Sequence, residues 1–299
     1  MDDGGPGWEE RAIEWLIARI LDALARDYAV GPLALTLLLR RYCTTDRAEL
    51  ADALGPALAA AAAREFDNPV PADADWLPLF VESAAVSDDA RLRGAGERLI
   101  AALRRQWGAR GEVGPAAWSI GACLMAADLV DPRELIPAAI DELERIVGAA
   151  YRPGVGLGNL VCMPEAVRGL LGDHVRAASA LLTAHERTGR LPYAMLAEEL
   201  MQFVLRTSWD RYEDGFVDRK GGDACNKSLL LNCEAARVLM RLAALHGTPA
   251  YRDAAVLAPG VDYAEDAARV LVAFEPEFRD HGVNAAVYGI ALTEWVRRS

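Results

Sequence analysis

Residues 178–193 read Ala-Ser-Ala-Leu-Leu-Thr-Ala-His-Glu-Arg-Thr-Gly-Arg-Leu-Pro-Tyr, and residues 236–251 read Ala-Arg-Val-Leu-Met-Arg-Leu-Ala-Ala-Leu-His-Gly-Thr-Pro-Ala-Tyr. With Gly189 laid on Gly247, Tyr193 falls on Tyr251, Leu182 on Met240 and Ala178 on Ala236. Each stretch is a helix of small residues, a glycine stop, a short turn and a second helix opened by Tyr. One such hairpin cannot bury its apolar face alone, so the repeat predicts hairpins stacked in an array.

The same rhythm extends along the chain. Apolar residues recur at three and four, Ala and Leu dominate, and strand signals are scarce. The pattern predicts about twelve helical segments: 8–27, 32–42, 46–65, 76–87, 89–107, 114–129, 133–150, 172–188, 193–209, 226–246, 250–274 and 284–297. Gly31-Pro32, Gly114-Pro115 and Asp131-Pro132 put proline at a first helical turn, where its missing N–H costs nothing. Asp214-Gly215 between Trp209 and Phe216 signals a turn and a short hairpin. Tyr151 to Gly172 reads as a long structureless connection, and Ala258-Pro259-Gly260 as a break in the eleventh segment. Twelve helices in pairs make an all-α (α/α)6 toroid the expected fold, with residues 1–299 as a single domain. The even-numbered segments form its inner ring. An open solenoid is the competing arrangement.

Composition narrows the function. A net charge of −12 excludes nucleic acid, whose phosphates demand a basic surface, and argues against an anionic membrane. Met1-Asp2-Asp3-Gly4-Gly5 lacks the basic start and apolar run of a signal peptide, and the longest apolar stretch, Ala29 to Leu39, is too short to span a bilayer. A cytoplasmic protein with a small-molecule ligand, a sugar among the candidates, is expected; nothing in the pattern sets its oligomeric state. The five cysteines form no CxxC pair and no zinc spacing, which fits reduced, mostly buried thiols; only Cys225 and Cys233 flank a loop-to-helix junction where a reactive thiol could sit. No metal and no cofactor is implied. Gly154-Val-Gly-Leu-Gly158 follows a helix rather than a strand and is no dinucleotide fingerprint.

Three blocks carry a resemblance: Arg211-Tyr-Glu-Asp-Gly-Phe-Val-Asp-Arg-Lys220, Asn232-Cys-Glu-Ala-Ala-Arg-Val-Leu-Met-Arg-Leu242 and Gly247-Thr-Pro-Ala-Tyr-Arg-Asp-Ala-Ala255. Over residues 172–297 the chain resembles the C-terminal helical part of the thioredoxin-fused six-hairpin proteins, the family that includes spermatogenesis-associated protein 20. The resemblance implies a six-hairpin glycosidase-like toroid, related in shape to N-acylglucosamine 2-epimerases and unsaturated glucuronyl hydrolases. The chain departs from that family in having no thioredoxin domain and no CxxC.

In a toroid of hairpins the ligand site is expected where the inner helices begin. The repeat register lays His174 on Asn232, and Asn284 opens the last inner segment in a similar place. His174, beside Asp173, is a candidate general acid or base. Glycoside cleavage needs two carboxyl groups across the scissile bond, and Asp173, Asp218, Asp223, Glu234 and Asp75 are the acids near that mouth. The candidate catalytic set is His174, Asp173, Glu234 and Asp218. Trp76 and Trp118 are candidate sugar-stacking residues, and Asn232, His281 and Asn284 candidate binding residues. Arg219 and Lys220 could balance charge or meet an anionic ligand. Each also has a plain structural role: Asp75, Asp173, Asn232 and Asn284 are good helix N-caps, and the tryptophans are good core residues. His185 and His246 sit near turns and read as surface. Two functions follow: a carbohydrate-directed epimerase, isomerase or glycoside hydrolase, or a non-catalytic helical array that binds a partner.

Overall fold

A computed structural model describes residues 7–109, 111–161, 163, 166–218, 227–254 and 261–298. Six helices face the centre: α2 (Pro32–Thr45), α4 (Trp76–Ser87), α6 (Val113–Met125), α8 (Leu171–Thr188), α10 (Leu229–His246) and α13 (Ala286–Val296). Around them run α1 (Trp8–Ala25), α3 (Ala48–Ala62), α5 (Ala90–Arg104), α7 (Pro132–Ala150), α9 (Leu191–Thr207), and the pair α11 (Pro249–Ala254) and α12 (Tyr263–Ala273). The inner and outer layers alternate along the chain as the repeat predicts. The eleventh segment is two helices; the Ala258-Pro259-Gly260 break lies outside the described residues, as do Met1–Gly5.

The ring closes, which excludes the open solenoid. Each inner helix packs on the next, and α13 returns to pack on both α10 and α2. Small residues make this possible. A Cβ on Gly121 of α6 would lie 3.1 Å from Cα and Cβ of Ala180 on α8, so these two helices approach nearly backbone to backbone. Each inner helix turns one stripe to the centre at spacings of three and four, as in Ser179, Thr183 and Glu186 of α8 or Glu234, Arg237 and Arg241 of α10. Its other faces are core: Leu171, Val175, Ala178, Leu182, Leu239 and Leu242 are all at most 5% exposed between the layers.

The connection after α7 is not structureless. Its start is an antiparallel ribbon of β1 (Tyr151–Arg152) and β2 (Gly156–Leu157). The turn expected at Asp214-Gly215 is present, with both residues at positive φ and Trp209 bridged to Phe216. Tyr151 and Trp209 are 58 residues apart, the offset of the helical repeat, so each ribbon belongs to the repeated unit.

An ion-pair chain fastens the closing seam. The carboxylate of Glu294 on α13 accepts Arg40 Nη1 of α2 at 2.8 Å and Arg237 Nε and Nη2 of α10 at 2.8 Å. Arg40 also donates to Glu82 of α4, with Nη2 at 2.7 Å from Oε1. Burial alone would raise the Glu294 pKa, but Arg237 and Arg40 outweigh it and hold the group down at about 2. Glu294→Gln should destabilise the fold by about 3 kcal/mol near neutral pH, because it leaves two buried guanidinium groups under-compensated. The depressed pKa means that the wild-type advantage is present above the unfolded value and lost as pH falls toward 2. Urea titrations of both proteins at pH 7 and pH 3 check this; a constant gap across that range would contradict it.

Candidate functional site

The centre of the ring holds a cavity of about 430 Å³ lined by all six inner helices. That is within the range of pockets for small molecules. Asp75 closes a short 3-10 turn, Pro71–Asp75, directly before α4. Its side chain does not cap that helix. Instead Oδ1 accepts the indole N–H of Trp118 at 2.7 Å, and both residues face the cavity. Across from them Glu234 accepts Arg176 Nε at 3.1 Å, and the same guanidinium lies 5.7 Å from the centre of the Trp118 ring. Asp75, Trp118, Arg176 and Glu234 therefore form one connected group from four inner-ring elements.

Burial dominates the electrostatics here. It raises the pKa of Asp75 against the opposing Trp118 hydrogen bond. It also raises that of Glu234, whose side chain is 4% exposed, against the pull of Arg176, with the charge of Asp75 adding to the rise. Asp173, in the first turn of α8, is pushed up to about 6 by burial; a hydrogen bond from Gly114 N–H at 2.9 Å opposes this, and Glu112 and Asp218 reinforce it. Asp173 thus satisfies an orphan N–H at the start of the neighbouring α6 rather than its own helix. Its Oδ2, and Oδ1 of Asp218, are buried without a hydrogen-bond partner among the described residues. Neither side chain lines the cavity.

The other expected site residues have different surroundings. His174 is fully buried, stacked on Phe203 at 4.9 Å, with both ring nitrogens engaged: Leu157 N–H donates to Nε2 at 3.0 Å and Nδ1 lies 2.8 Å from Leu170 O. Burial lowers its pKa, and the neutral ring clasps β2. Asn232 does the same for the second ribbon: Oδ1 accepts Phe216 N–H at 2.6 Å and Nδ2 donates to Phe216 O at 2.9 Å. A glycine at positive φ precedes each clasped residue. A Cβ on Gly156 would lie 2.4 Å from His174 Nε2, and one on Gly215 would lie 3.1 Å from Asn232 Oδ1. The aligned positions therefore share one task, fixing a ribbon to the start of an inner helix, and neither residue lines the cavity.

Trp76 turns outward, stacks on Phe80 at 6.1 Å and carries Arg64 over its face at 4.6 Å. His281 and Asn284 are exposed in the 3-10 segment Phe278–Ala285 and do not line the cavity. Asp223, Arg219, Lys220, Cys162 and Cys225 lie outside the described residues. Cys233 is buried and its thiol pKa is pushed up by burial, which removes it as a reactive thiol; Cys123 is likewise raised, to about 12. His246 is not a surface residue. It meets Glu198 at 2.9 Å in a buried group with Tyr251 and Tyr263.

Sequence reasoning missed Arg40, Arg176, Arg237, Arg241 and Glu294. Their signal was visible in α10, where Glu234, Arg237 and Arg241 interrupt an otherwise apolar helix on one face.

No protein-family model and no curated protein sequence matches the chain. Solved structures do. An unsaturated glucuronyl hydrolase specific for heparin superposes with a TM-score of 0.74 at 12% identity, covering 98% of each chain. The fold is the six-hairpin toroid. A second such hydrolase, from Bacillus sp. GL1 and responsible for glycosaminoglycan degradation, gives 0.75 at 11% identity over 98% of this chain and 97% of its own. A family 105 glycoside hydrolase of C. acetobutylicum ATCC 824 gives 0.70 at 9% identity over 94% and 99%. Among the described residues no helix is long and apolar enough to cross a membrane, and no group of three or more His, Cys, Asp or Glu could hold a metal.

The raised pKa of Asp173 has a consequence for stability. A carboxyl group that holds its proton more tightly when folded favours the fold at low pH and loses that contribution as pH rises through about 6. Asp173→Asn keeps the acceptor for Gly114 N–H and removes the buried charge. Above pH 7 it should be more stable than wild type by about 2 kcal/mol, with no difference below pH 4. Thermal melts across that range read the crossover; a variant less stable at pH 8 would refute it.

Proposed function

We propose that this protein is a carbohydrate-directed enzyme that performs acid–base chemistry in the central cavity, with Asp75 and Glu234 as the proton-transferring pair. One observation carries the reading: two carboxyl groups with raised pKa values, Glu234 buried and Asp75 half-buried, face the same cavity beside an indole. The glycoside hydrolases that share the fold support the substrate class. So does the pairing itself, because glycoside cleavage and sugar epimerisation both need one group to give a proton and another to take one.

The roles follow from the partners. Glu234 is held by the Arg176 guanidinium, which favours its ionised form, so it is the base. Asp75 has the neutral Trp118 N–H as its hydrogen-bond partner and no guanidinium bonded to it, so it is assigned the acid. Trp118, fixed by that bond, presents its ring for stacking on a sugar face. His174, Asn232 and the ribbons they clasp hold the ends of the inner helices in place.

The resemblance to the thioredoxin-fused six-hairpin proteins supports the same scaffold.

Turnover of aryl glycosides and of unsaturated glucuronyl disaccharides by wild type, Glu234→Gln and Asp75→Asn tests the assignment. Each variant should lose about 10²- to 10⁴-fold in kcat with KM changed far less. Wild-type rates in both variants, or no sugar bound or turned over by the wild type, would overturn the proposal.

A further inference from the structure

The cavity is electrically polarised along the ring axis. Among the described residues five arginines and four carboxylates line it, in a chain whose net charge is −12, so its interior departs from the surface in sign. Asp75 and Glu234 lie toward the starts of the inner helices. Arg241, Arg297 and Arg298 lie toward their ends, where the other two carboxylates, Glu186 and Glu294, are already paired with Arg241 and with Arg40 and Arg237. On α10 the seven residues from Glu234 to Arg241 span about 10 Å at the helical rise. Exposure follows the same axis, from 4% for the side chain of Glu234 to 57% for that of Glu186, with Arg297 and Arg298 exposed.

The arginines differ in how far the protein already uses them. Arg40 and Arg237 are neutralised by Glu82 and Glu294. Arg241 is held by Ser179, Thr183 and Glu186. Arg298 gives Nη1 to Met240 O at 2.9 Å and keeps its other donors. The Arg297 guanidinium has no hydrogen bond or ion pair among the described residues. Free, charge-assisted donors therefore collect at the end of the cavity away from the acid pair. A forked guanidinium suits an oxyanion.

We propose that this end is an oxyanion subsite, formed by Arg297 and Arg298 with Arg241 behind them, and that the ligand is a sugar bearing a phosphate or sulfate ester on an exocyclic oxygen. The proposal rests on the acid–base assignment above and adds the ligand's chemistry to it. The donors decide the class. Two forked guanidinium groups on the rim, with Arg241 behind them, offer more donors than the two oxygens of a carboxylate accept, whereas a phosphate or sulfate ester presents three oxygens and suits them.

Isothermal titration of the full chain with glucose, glucuronate, glucose 6-phosphate and glucose 6-sulfate tests it. At least one ester should bind tenfold or more tightly than glucose and glucuronate, and that preference should weaken as salt is raised. The double variant Arg297→Ala/Arg298→Ala, changed only at exposed positions, should lose the preference while its affinity for glucose is retained. Comparing the two esters identifies which oxyanion is taken. Esters no tighter than glucose, tighter binding of glucuronate, or a preference that survives in the double variant would each overturn the subsite. Those results leave the acid–base assignment standing if Glu234→Gln still abolishes turnover. Loss of turnover effects in Glu234→Gln, with the ester preference intact, would remove the assignment and not the subsite.

Discussion

Everything in the ring depends on the carboxylate of Glu294, because a closed array must join its last unit to its first. Helix α13 has neighbours that are distant in sequence, and apolar packing alone would hold it without fixing its register. Glu294 takes Arg40 from the first inner helix and Arg237 from the fifth, and Arg40 passes the link on to Glu82 in the second. A buried charge of one sign is costly, while an alternating chain of charges is compensated at each step. The seam is therefore specific: a displaced α13 would strand several charges at once.

The same constraint explains why the ring has a centre at all. Small residues bring α6 and α8 close, as at Gly121 and Ala180, yet six helices around one axis cannot all touch. The space they leave is lined by whatever each helix turns inward. An apolar lining would collapse or attract lipid-like ligands. Charged and hydrogen-bonded side chains, tied to one another between the helices, keep it open. Ion pairs that fasten the walls thus also furnish the site, and the group of Asp75, Trp118, Arg176 and Glu234 is continuous with the group that closes the ring.

The sequence made the scaffold legible because hairpin rhythm, glycine stops and first-turn prolines are local signals, and helix boundaries depend on little else. The eleventh segment is the exception, two helices where the periodicity reads as one. The site was harder to read. The repeat register led to His174 and Asn232, and those positions do share a task, but it is the clasping of Leu157 and Phe216. A polar residue in a first turn has several partners within reach, and sequence does not show which backbone a following or preceding ribbon brings near. Glu234 was legible as an acid near the centre, and Trp118 as an aromatic there. Trp76 turned outward because its place in α4 lies on the face toward Arg64 and Phe80. The cavity arginines carried their own signal, a charged stripe on apolar helices, which a search for motifs passes over.

Polarity along the cavity is a property of the fold before it is a property of any residue. The six inner helices run in one sense, so their positive ends gather at one face of the ring and their negative ends at the other. Carboxylates are favoured near the starts and arginines near the ends; Asp75, Asp173, Arg241 and Arg297 follow that rule, while Glu186, Glu294 and Arg176 depart from it and are each held by an ion pair. At the starts the helix ends would lower a carboxylate pKa, yet Asp75, Asp173 and Glu234 are all raised. Burial therefore outweighs the dipoles at this end. Opening this end to solvent would weaken the desolvation and let these pKa values fall back toward the ordinary carboxylate range. How deep the acids sit below the charged rim thus sets how firmly each holds its proton.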